Sequence, residues 1–468
     1  MIASSTTYPE FLKEFPEYAQ TTSLDELRQR DYARLDRNGH VYLDYTGAGL
    51  YGESQVQKHH ELLSREVYGN PHSSNPTSLA ATELVEQTRQ VILHFFNAPA
   101  DEYVVIFVSN ASGALKLVGE SYPFAAGGHY LLTFDNHNSV NGIREYALAR
   151  GAEVTYIPMV LPEMTIDEQK LRQSLTLAKP GQPNLFAYPA QSNFSGRLHS
   201  LEWIEQAHAQ GWDVLLDVAA FAPTNPLDLS RYHPDFVPIS FYKMFGYPTG
   251  IGALIARRQA LAKLTRPWFA GGTITVVSVQ GEKHYMAEAP NAFEDGTLNF
   301  LSIPAVEIGL DHLSAIGLPK IHDRVHSLTG WLIKELLQLT HSNGQPVLKI
   351  YGPTHADQRG GTIALNFLDD KGNVIDHRSI EEQANRVKIS LRTGCFCNPG
   401  AGEIALGISS GELSACFTRP DHETHLSYDD FRLCIDGKAS GAVRISAGMV
   451  SNFADIEAFL RFAKSMAI

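Results

Sequence analysis

The feature that most restricts the fold of this chain is an alternation of short apolar runs with amphipathic stretches over residues 103–256. The apolar runs predict strands, and the stretches between them predict helices such as 138–150 and 200–210, which are followed by Gly151 and Gly211. This alternation is typical of a mostly parallel sheet covered by helices. The predicted strands are 103–108, 130–134, 153–158, 184–188, 213–216, 236–241 and 251–255.

The pattern changes after Pro304. A long helical pattern over 305–339 leads into strand-like segments at 348–351 and 362–367, and a last helix is predicted at 453–466. Asn452 is the predicted N-cap of that last helix.

The change of pattern predicts two domains. We expect a large α/β domain over residues 41–304, and a smaller α+β domain made of residues 1–40 and 305–468. The polar, His-rich segment 418–430 is interpreted as a surface loop or insertion.

Charge and hydropathy exclude two classes of partner. The chain has 38 Lys and Arg against 51 Asp and Glu, a formal net charge of −13, so no basic surface is expected for nucleic acid or an anionic membrane. No apolar run approaches the roughly 18 residues of a membrane span, and the first residues carry no basic region followed by an apolar stretch. We therefore expect a cytoplasmic protein without a membrane segment.

The four cysteines are interpreted as thiols, because they are too few for a disulfide framework in a chain of 468 residues. Cys395 and Cys397 form a C-x-C pair, but no second pair stands at zinc-finger spacing, so no metal site is predicted. The other two are Cys416 and Cys434.

Two residues at predicted strand ends indicate chemistry. Asp217 ends the apolar run that begins at 213, where the carboxyl edge of a parallel sheet binds ligands, although such an acid is also a common helix N-cap. Lys243 follows another strand. Most lysines are solvated, but apolar neighbours favour a neutral amine, which Schiff-base formation requires. Those neighbours are Phe241, Tyr242, Met244 and Phe245.

Together the lysine and the acid indicate pyridoxal phosphate, which needs a Schiff-base Lys and an acid beside its ring nitrogen. The segment 109–113, with sequence SNASG, offers hydroxyl and backbone N–H groups for a phosphate at a helix start. His137 follows the next strand and is a candidate to lie against the ring. A capping Ser and a surface His are the alternatives at these positions.

Eight segments carry a resemblance to a known family. In order along the chain they are YLDYTGAGLY, YGNPHSSNPTS, FDNHNSVNGIREYA, FAYPAQSNFSG, SFYKMFGYPTGIGALI, FEDGTLNFLSIPAV, LRTGCFCNPGAG and VRIS. They resemble the class V aminotransferase family of fold-type I pyridoxal-phosphate enzymes. Within that family they are most similar to cysteine desulfurases, in particular to the desulfurase-like part of molybdenum cofactor sulfurases.

The resemblance implies a role for each cofactor-binding residue. Lys243 would bind the cofactor covalently, Asp217 would pair with the pyridine nitrogen, His137 would stack on the ring, and Asn193 would hydrogen-bond the phenolic oxygen. The residues implied to hold the phosphate are Ala111, Ser112, Ser240 and, from the neighbouring subunit of a homodimer, Thr297.

The resemblance also implies a substrate site and a nucleophile. Arg444, with Arg392 nearby, would bind the α-carboxylate of L-cysteine. Alignment on the segment Arg392–Thr393–Gly394 places the nucleophile at Cys397 rather than Cys395; it would take the substrate sulfur as a persulfide and release L-alanine. The alternative interpretation of this segment is that both cysteines are buried and act as small apolar residues.

Two positions depart from the family pattern. Ala220 stands where many desulfurases carry a Gln, so one contact to the cofactor oxygen is missing. Tyr242 stands where a His often precedes the lysine, so the phosphate contact of that His is not implied here.

The predicted function is therefore a pyridoxal-phosphate-dependent cysteine desulfurase or sulfurtransferase. The alternatives are a C–S lyase acting by β-elimination on cysteine or cystine, and an aminotransferase. A binding protein without a cofactor and a dinucleotide enzyme are further alternatives, the latter weakened because no GxGxxG follows a strand. The sulfur acceptor, and the choice between free cysteine and a larger conjugate, stay open.

Overall fold

The computed structural model describes residues 7–418, 426–427, 430–431, 434–435 and 438–467. Its strands are β1 (Val41–Tyr42), β2 (Tyr103–Val108), β3 (His129–Thr133), β4 (Glu153–Ile157), β5 (Met159–Val160), β6 (Thr165–Ile166), β7 (Asn184–Pro189), β8 (Asp213–Asp217), β9 (Phe236–Ser240), β10 (Gly252–Arg257), β11 (Ile274–Ser278), β12 (Lys283–Met286), β13 (Leu348–Tyr351), β14 (Thr362–Phe367), β15 (Ile389–Ser390), β16 (Arg392–Gly394) and β17 (Ala442–Ser446). Its α-helices are α1 (Tyr8–Glu14), α2 (Ser23–Asp31), α3 (Arg34–Arg37), α4 (Glu53–Arg65), α5 (Pro76–Phe95), α6 (Ala111–Ser121), α7 (Asn138–Asn141), α8 (Ile143–Ala149), α9 (Glu168–Leu175), α10 (Trp203–His208), α11 (Phe241–Phe245), α12 (Arg258–Leu261), α13 (Pro304–Ile316), α14 (Leu318–Leu337), α15 (His377–Arg386), α16 (Pro399–Leu406), α17 (Ser410–Phe417) and α18 (Phe453–Lys464).

The predicted sheet is confirmed. It has seven strands in the order β2-β10-β9-β8-β7-β3-β4. Strand β10 runs antiparallel to its neighbours β2 and β9, whereas the pairs from β9 to β4 run parallel. Every residue of β3, β7 and β9 is buried, which explains why these strands read as continuous apolar runs. The carboxyl ends of β3, β7, β8 and β9 therefore meet at one edge of the sheet.

Several helix predictions need correction at their boundaries. The helix predicted at 138–150 is divided into α7 and α8 at Gly142. The helix predicted at 305–339 is divided into α13 and α14 at Gly317, whose φ of 89° is one that an α-helix cannot contain. The last helix begins as predicted, and the Asn452 side chain accepts a hydrogen bond from the Asp455 backbone N–H.

A second sheet lies in the C-terminal part of the chain, with strand order β13-β14-β17-β16 and antiparallel pairing throughout. Its core also includes residues from the start of the chain: Phe11 is fully buried and its ring lies 5.5 Å from that of Trp331. Other residues of 1–40 and 305–468, among them Leu24, Leu27, Leu310 and Leu313, pack in the core of the large sheet. The division into residues 41–304 and a smaller unit of 1–40 and 305–468 stays a prediction.

The interpretation of all four cysteines as thiols is wrong for two of them. Cys416 and Cys434 form a disulfide, with their Cα atoms 5.5 Å apart, a separation that suits this bond. The error arose because the sequence shows how many cysteines there are but not which ones the fold brings together. Cys395 and Cys397 are free and exposed.

Three further predictions concern the His-rich segment, membrane-spanning helices and metal sites. Most of the His-rich segment 418–430 lies outside the described residues. Among the residues that are described, no helix has the length and apolar character needed to cross a membrane. The same part of the chain contains no group of three or more His, Cys, Asp or Glu side chains placed to hold a metal ion.

Candidate active site

A cavity of about 210 Å³ opens at the carboxyl edge of the large sheet. It collects residues that are far apart in the sequence because they follow neighbouring strands. The residues predicted to hold pyridoxal phosphate within one subunit all line it, as do both departures from the family pattern. Its lining includes Ala111, Ser112, His137, Gln191, Asn193, Asp217, Ala220, Ser240, Tyr242 and Lys243.

Lys243 lies in α11, the single helical turn that follows β9. Burial lowers the pKa of its amine below the usual value, while the nearby Asp217 carboxylate raises it in part. Gly49 packs against this turn: its N–H donates to the Tyr242 carbonyl at 3.0 Å, and a Cβ at Gly49 would lie only 2.9 Å from the Lys243 carbonyl oxygen. Gly49 of the YLDYTGAGLY segment therefore packs directly against the backbone of the turn that carries Lys243.

Asp217 is the last residue of β8 and its side chain is buried. One carboxylate oxygen accepts a hydrogen bond from the Ala219 backbone N–H at 3.0 Å, so the local capping interaction considered for this residue is present. The same side chain lines the cavity and acts electrostatically on both Lys243 and His137. Capping and a role in the cavity are thus compatible.

The start of α6 has the geometry expected of an anion site. Ser240 at the end of β9 accepts a hydrogen bond from the Ala111 N–H at 2.9 Å, and the Asn110 side chain caps the helix by accepting from the Gly113 N–H at 3.0 Å. The Ser112 hydroxyl lies 2.6 Å from the Ser139 hydroxyl. Backbone N–H groups and hydroxyls at a helix N-terminus stabilise a phosphate.

His137 is held in a defined orientation at the start of α7. Its Nδ1 accepts a hydrogen bond from the Ser139 N–H at 3.1 Å, which leaves the proton of the neutral ring on Nε2. Burial lowers the pKa of His137, with Asp217 opposing and Lys243 adding to the effect, so the neutral ring is favoured. A neutral imidazole can lie against an aromatic cofactor without cationic repulsion from Lys243.

Arg444 and Arg392 face each other on β17 and β16, and both bind Asp44. Arg444 donates to Asp44 at 3.2 Å and Arg392 at 2.6 Å. Arg444 is buried, and burial lowers its pKa to about 10 although Asp44 opposes this. Two guanidinium groups share one carboxylate here, so the cluster keeps a net positive charge that suits a carboxylate ligand.

The segment that carries both free cysteines is a tight turn. The Asn398 N–H donates to the Cys395 carbonyl at 3.0 Å, and the two central residues, Phe396 and Cys397, have φ values of 56° and 55°. Positive φ at both central positions is the pattern of a type I′ turn, and it costs non-glycine residues about 1–3 kcal/mol each.

The turn is tied to the cavity through Asn193. The Asn193 side chain donates to the Phe396 carbonyl at 2.8 Å and accepts from Asn398 at 2.9 Å, while the Cys397 carbonyl accepts from the Asn138 N–H at 2.7 Å. Cys397 lies close enough to Lys243 to affect its pKa, and it acts on Arg444 in the same way. The predicted contact of Asn193 with a cofactor oxygen stays a prediction, since the structure shows its amide bonded to the turn.

Thr297 is the one predicted cofactor residue that does not line this cavity. It is exposed and lines a different cavity of about 420 Å³ together with Ser109 and Gly113, and its hydroxyl accepts from the Asn70 amide at 3.3 Å. Thr297 therefore lies outside the Lys243 cavity of its own chain.

Sequence comparison identifies the group to which this arrangement belongs. The profile of the family described as aminotransferase class V matches residues 41–459, which include the cavity residues, Arg444 and both free cysteines. The chain belongs to the class V aminotransferase family. The predicted family resemblance is thereby confirmed.

The similar members of the class V family include molybdenum cofactor sulfurases. The protein from Solanum lycopersicum is 38% identical over 97% of this chain and 59% of its own length. The Homo sapiens protein is 40% identical over 94% of this chain and 51% of its own length. The chain thus spans between about half and three-fifths of these relatives.

Solved structures confirm the predicted fold class. A cysteine desulfurase from Thermococcus onnurineus NA1 superposes with a TM-score of 0.75 at 23% identity, covering 95% of this chain and 98% of that one. The cystine C–S lyase C-DES superposes with a TM-score of 0.68 at 19% identity, covering 91% and 97%. The same fold therefore occurs in a cysteine desulfurase and in a cystine C–S lyase, so the fold does not decide between these two activities.

Sequence reasoning missed three residues of this site: Asp44, Gln191 and Phe396. Asp44 follows the apolar segment 41–43 just as Asp217 follows 213–216, so the strand-end argument could have been applied to it. Gln191 is buried beside Ala220 in the cavity wall. No sequence pattern predicts that Phe396 is buried while the cysteines on either side are exposed, because a turn has no repeating apolar periodicity.

Proposed function

We propose that this chain is a pyridoxal-phosphate-dependent cysteine desulfurase, which converts L-cysteine to L-alanine and keeps the sulfur on Cys397 as a persulfide. The observation that carries the proposal is an exposed thiol, Cys397, on a turn that hydrogen-bonds Asn193 of the Lys243 cavity, whose carbonyl also accepts from the buried Arg444. Similarity to molybdenum cofactor sulfurases and the fold shared with a cysteine desulfurase support it.

The cavity fits pyridoxal phosphate by its donor set. An amine whose pKa is lowered by burial, a buried carboxylate and an imidazole surround one space, and N–H and hydroxyl groups at the start of α6 lie at its wall. Bound there, the cofactor would supply an aldehyde for covalent capture of amines and a ring that accepts electrons. We propose that Lys243, Asp217, His137, Asn193, Ala111, Ser112 and Ser240 hold it.

Lys243 and Asp217 have complementary tasks in this proposal. The Lys243 amine, whose pKa burial lowers, would be the nucleophile that binds the cofactor, and once released it can move a proton at the substrate α-carbon. The Asp217 side chain, beside the ring nitrogen, would keep that nitrogen protonated.

Arg444 would orient the substrate. Its Nη1 donates to the Asn193 carbonyl at 3.0 Å and its Nη2 to Asp44, so the guanidinium is fixed before a ligand binds. Each of these nitrogens keeps a second N–H for a carboxylate.

Sulfur transfer then takes place at Cys397. The Cys397 sulfur attacks the sulfur of the bound cysteine, the C–S bond of the substrate breaks, and its electron pair stays on the substrate carbon, which gains a proton. The products are L-alanine and a Cys397 persulfide, so L-cysteine and one thiol account for all atoms. Because Cys397 is exposed, an acceptor can approach the persulfide from solvent.

Product analysis tests this function. Cofactor-loaded protein is incubated with L-cysteine in the presence and absence of a thiol reductant, and alanine, sulfide, pyruvate and ammonia are measured. A desulfurase gives alanine without pyruvate, together with sulfide when reductant is present. Pyruvate and ammonia in equal amounts, without alanine, would instead identify the C–S lyase reaction.

We expect Arg444→Ala to raise the cysteine concentration for half-maximal alanine release by about 10- to 100-fold, the usual effect of losing a charge-assisted hydrogen bond. The maximal rate should change less, because the carboxylate contact is present in both the ground state and the transition state. Arg461→Ala, at an exposed arginine of α18, is the matched control. An unchanged cysteine dependence of Arg444→Ala would rule out this role.

We further propose that the chain forms a homodimer in which Thr297 of one subunit contacts the phosphate of the other. Thr297 lies outside the Lys243 cavity of its own chain, and the hairpin β11–β12 presents exposed apolar side chains at Val276, Val279 and Tyr285. An exposed apolar surface of this kind is typical of a contact between proteins.

The dimer prediction is tested by light scattering after gel filtration. The wild-type protein should have twice the chain mass of 51.6 kDa, and Val279→Asp should shift it toward the monomer and weaken cofactor retention. Val160→Asp, at an exposed valine on β5 outside this hairpin, serves as the control. A wild-type monomer that retains one cofactor per chain contradicts the proposal.

A further inference from the structure

Phe396 is buried, whereas the cysteines on either side of it are exposed. It occupies a central position of the Cys395–Asn398 turn, where positive φ favours glycine or asparagine over an aromatic residue. A conformation of this kind persists only when the surroundings hold it in place. The contacts of the buried Phe396 side chain can therefore hold the turn in this conformation.

The Phe396 ring has two specific neighbours. Its centroid lies 5.2 Å from that of Phe194, a fully buried residue three positions from Gln191 in the cavity wall. On another side the Arg444 guanidinium lies 4.8 Å from the ring centroid, within the range of a cation–π interaction. One side chain thus contacts both the hydrophobic core and the arginine proposed to bind the substrate.

These contacts couple two parts of the site. Phe396 directly precedes Cys397, so a fixed ring position also fixes the backbone that presents the thiol. Arg444 is held by Asp44, by the Asn193 carbonyl and by this ring. The Asn193 side chain in turn donates to the Phe396 carbonyl, so Phe396, Asn193 and Arg444 each contact the other two.

We propose that Phe396 is a positioning residue that fixes Cys397 and Arg444 relative to each other, so that a cysteine bound through its carboxylate presents its sulfur to the Cys397 thiol. This inference rests on the proposed desulfurase function. The proposal implies that the Cys395–Asn398 turn has the same conformation when Cys397 receives the sulfur and when it passes the sulfur on.

Three variants of the cofactor-loaded protein separate the parts of this proposal. Phe396→Ala removes both the anchor and the ring contact, Phe396→Leu keeps apolar volume but loses the ring, and Phe396→Tyr keeps the ring. The readouts are hydrogen exchange of residues 392–402, the maximal rate of alanine release and the cysteine concentration at half-maximal rate.

Phe396→Ala should accelerate exchange of the Asn398 amide at least about tenfold, and should lower the maximal rate by about 10- to 100-fold, since small misplacements of reacting groups have effects of this size. Phe396→Leu should keep the exchange and maximal rate of the wild type while the half-saturating cysteine concentration rises about two- to fivefold, from loss of the cation–π contact. Phe396→Tyr should have the wild-type amide exchange, maximal rate and half-saturating cysteine concentration.

The proposal is overturned if Phe396→Ala leaves both exchange and maximal rate unchanged, or if it lowers the rate only in step with a global loss of folded protein while exchange at 392–402 follows that of the core. If Phe396→Ala does not fold, an unchanged cysteine dependence in Phe396→Leu overturns the Arg444 part. If the wild-type protein releases no alanine, the desulfurase function fails, and the exchange data alone decide whether Phe396 holds the turn.

Discussion

Replacing Lys243 with alanine is expected to lower the rate of alanine release by about 10³-fold or more, equivalent to about 4 kcal/mol in the activation free energy. The residue has two tasks in the proposed reaction, covalent binding of the cofactor and proton transfer, and no neighbouring side chain in the cavity wall is an amine. The cavity itself should persist, because its shape is set by strand ends rather than by this side chain.

Borohydride reduction followed by peptide mass mapping measures the covalent link directly. In the wild-type protein the reduced cofactor should be found on the peptide that contains Lys243, and in Lys243→Ala no lysine should carry it. Lys116→Ala is a suitable control, since that lysine lies on α6 but is exposed. Modification of any other lysine in the wild-type protein would refute the assignment.

Replacing Cys397 with serine is expected to abolish alanine release, again by about 10³-fold or more, while leaving cofactor and cysteine binding intact. The reason is that a hydroxyl cannot replace the thiol as acceptor of sulfur, whereas Lys243, Asp217 and Arg444 are untouched. Cysteine should still change the absorption spectrum of the bound cofactor. Mass spectrometry of the wild-type protein after one turnover should show 32 Da of added sulfur, about the mass of one S atom, on Cys397.

Cys395→Ser is the matched control, because both thiols are exposed and belong to one turn. Because Cys397 is the proposed nucleophile, Cys395→Ser should keep alanine release. Persulfide found on Cys395 would reverse the assignment. Sulfur release at the wild-type rate by the double variant would indicate β-elimination in place of desulfuration.

The large sheet and most of its site were predictable because each relevant residue stands next to a buried strand. The runs before Asp217 and Lys243 are apolar on both faces, which marks parallel strands, and parallel strands bring their carboxyl ends to one edge. The order of motifs along the chain therefore predicted their proximity. Pairing of Arg392 with Arg444 across β16 and β17 did not follow from this rule, because it depends on the register of an antiparallel sheet.

Other features escaped prediction for identifiable reasons. Asp44 is remote in sequence from Arg444, and their contact requires residues 44 and 446 to form a bridge between the start and the end of the chain. The helical pattern over 305–339 is continuous in apolar periodicity, and the break at Gly317 was missed although Gly317 and the following Pro319 are a helix stop and a helix start signal. The disulfide between Cys416 and Cys434 likewise depends on where the chain returns in space.

The family, the sheet and the types of residue available for chemistry could be predicted because hydrophobic periodicity and short motifs act locally along the chain. The orientation of those residues depends on contacts between distant segments. The strained turn of Phe396 and Cys397, its ties to Asn193 and the shared binding of Arg392 and Arg444 by Asp44 all join segments that are distant in sequence. Such contacts are set by packing of the complete core, which over-determines conformations that no local segment would adopt alone.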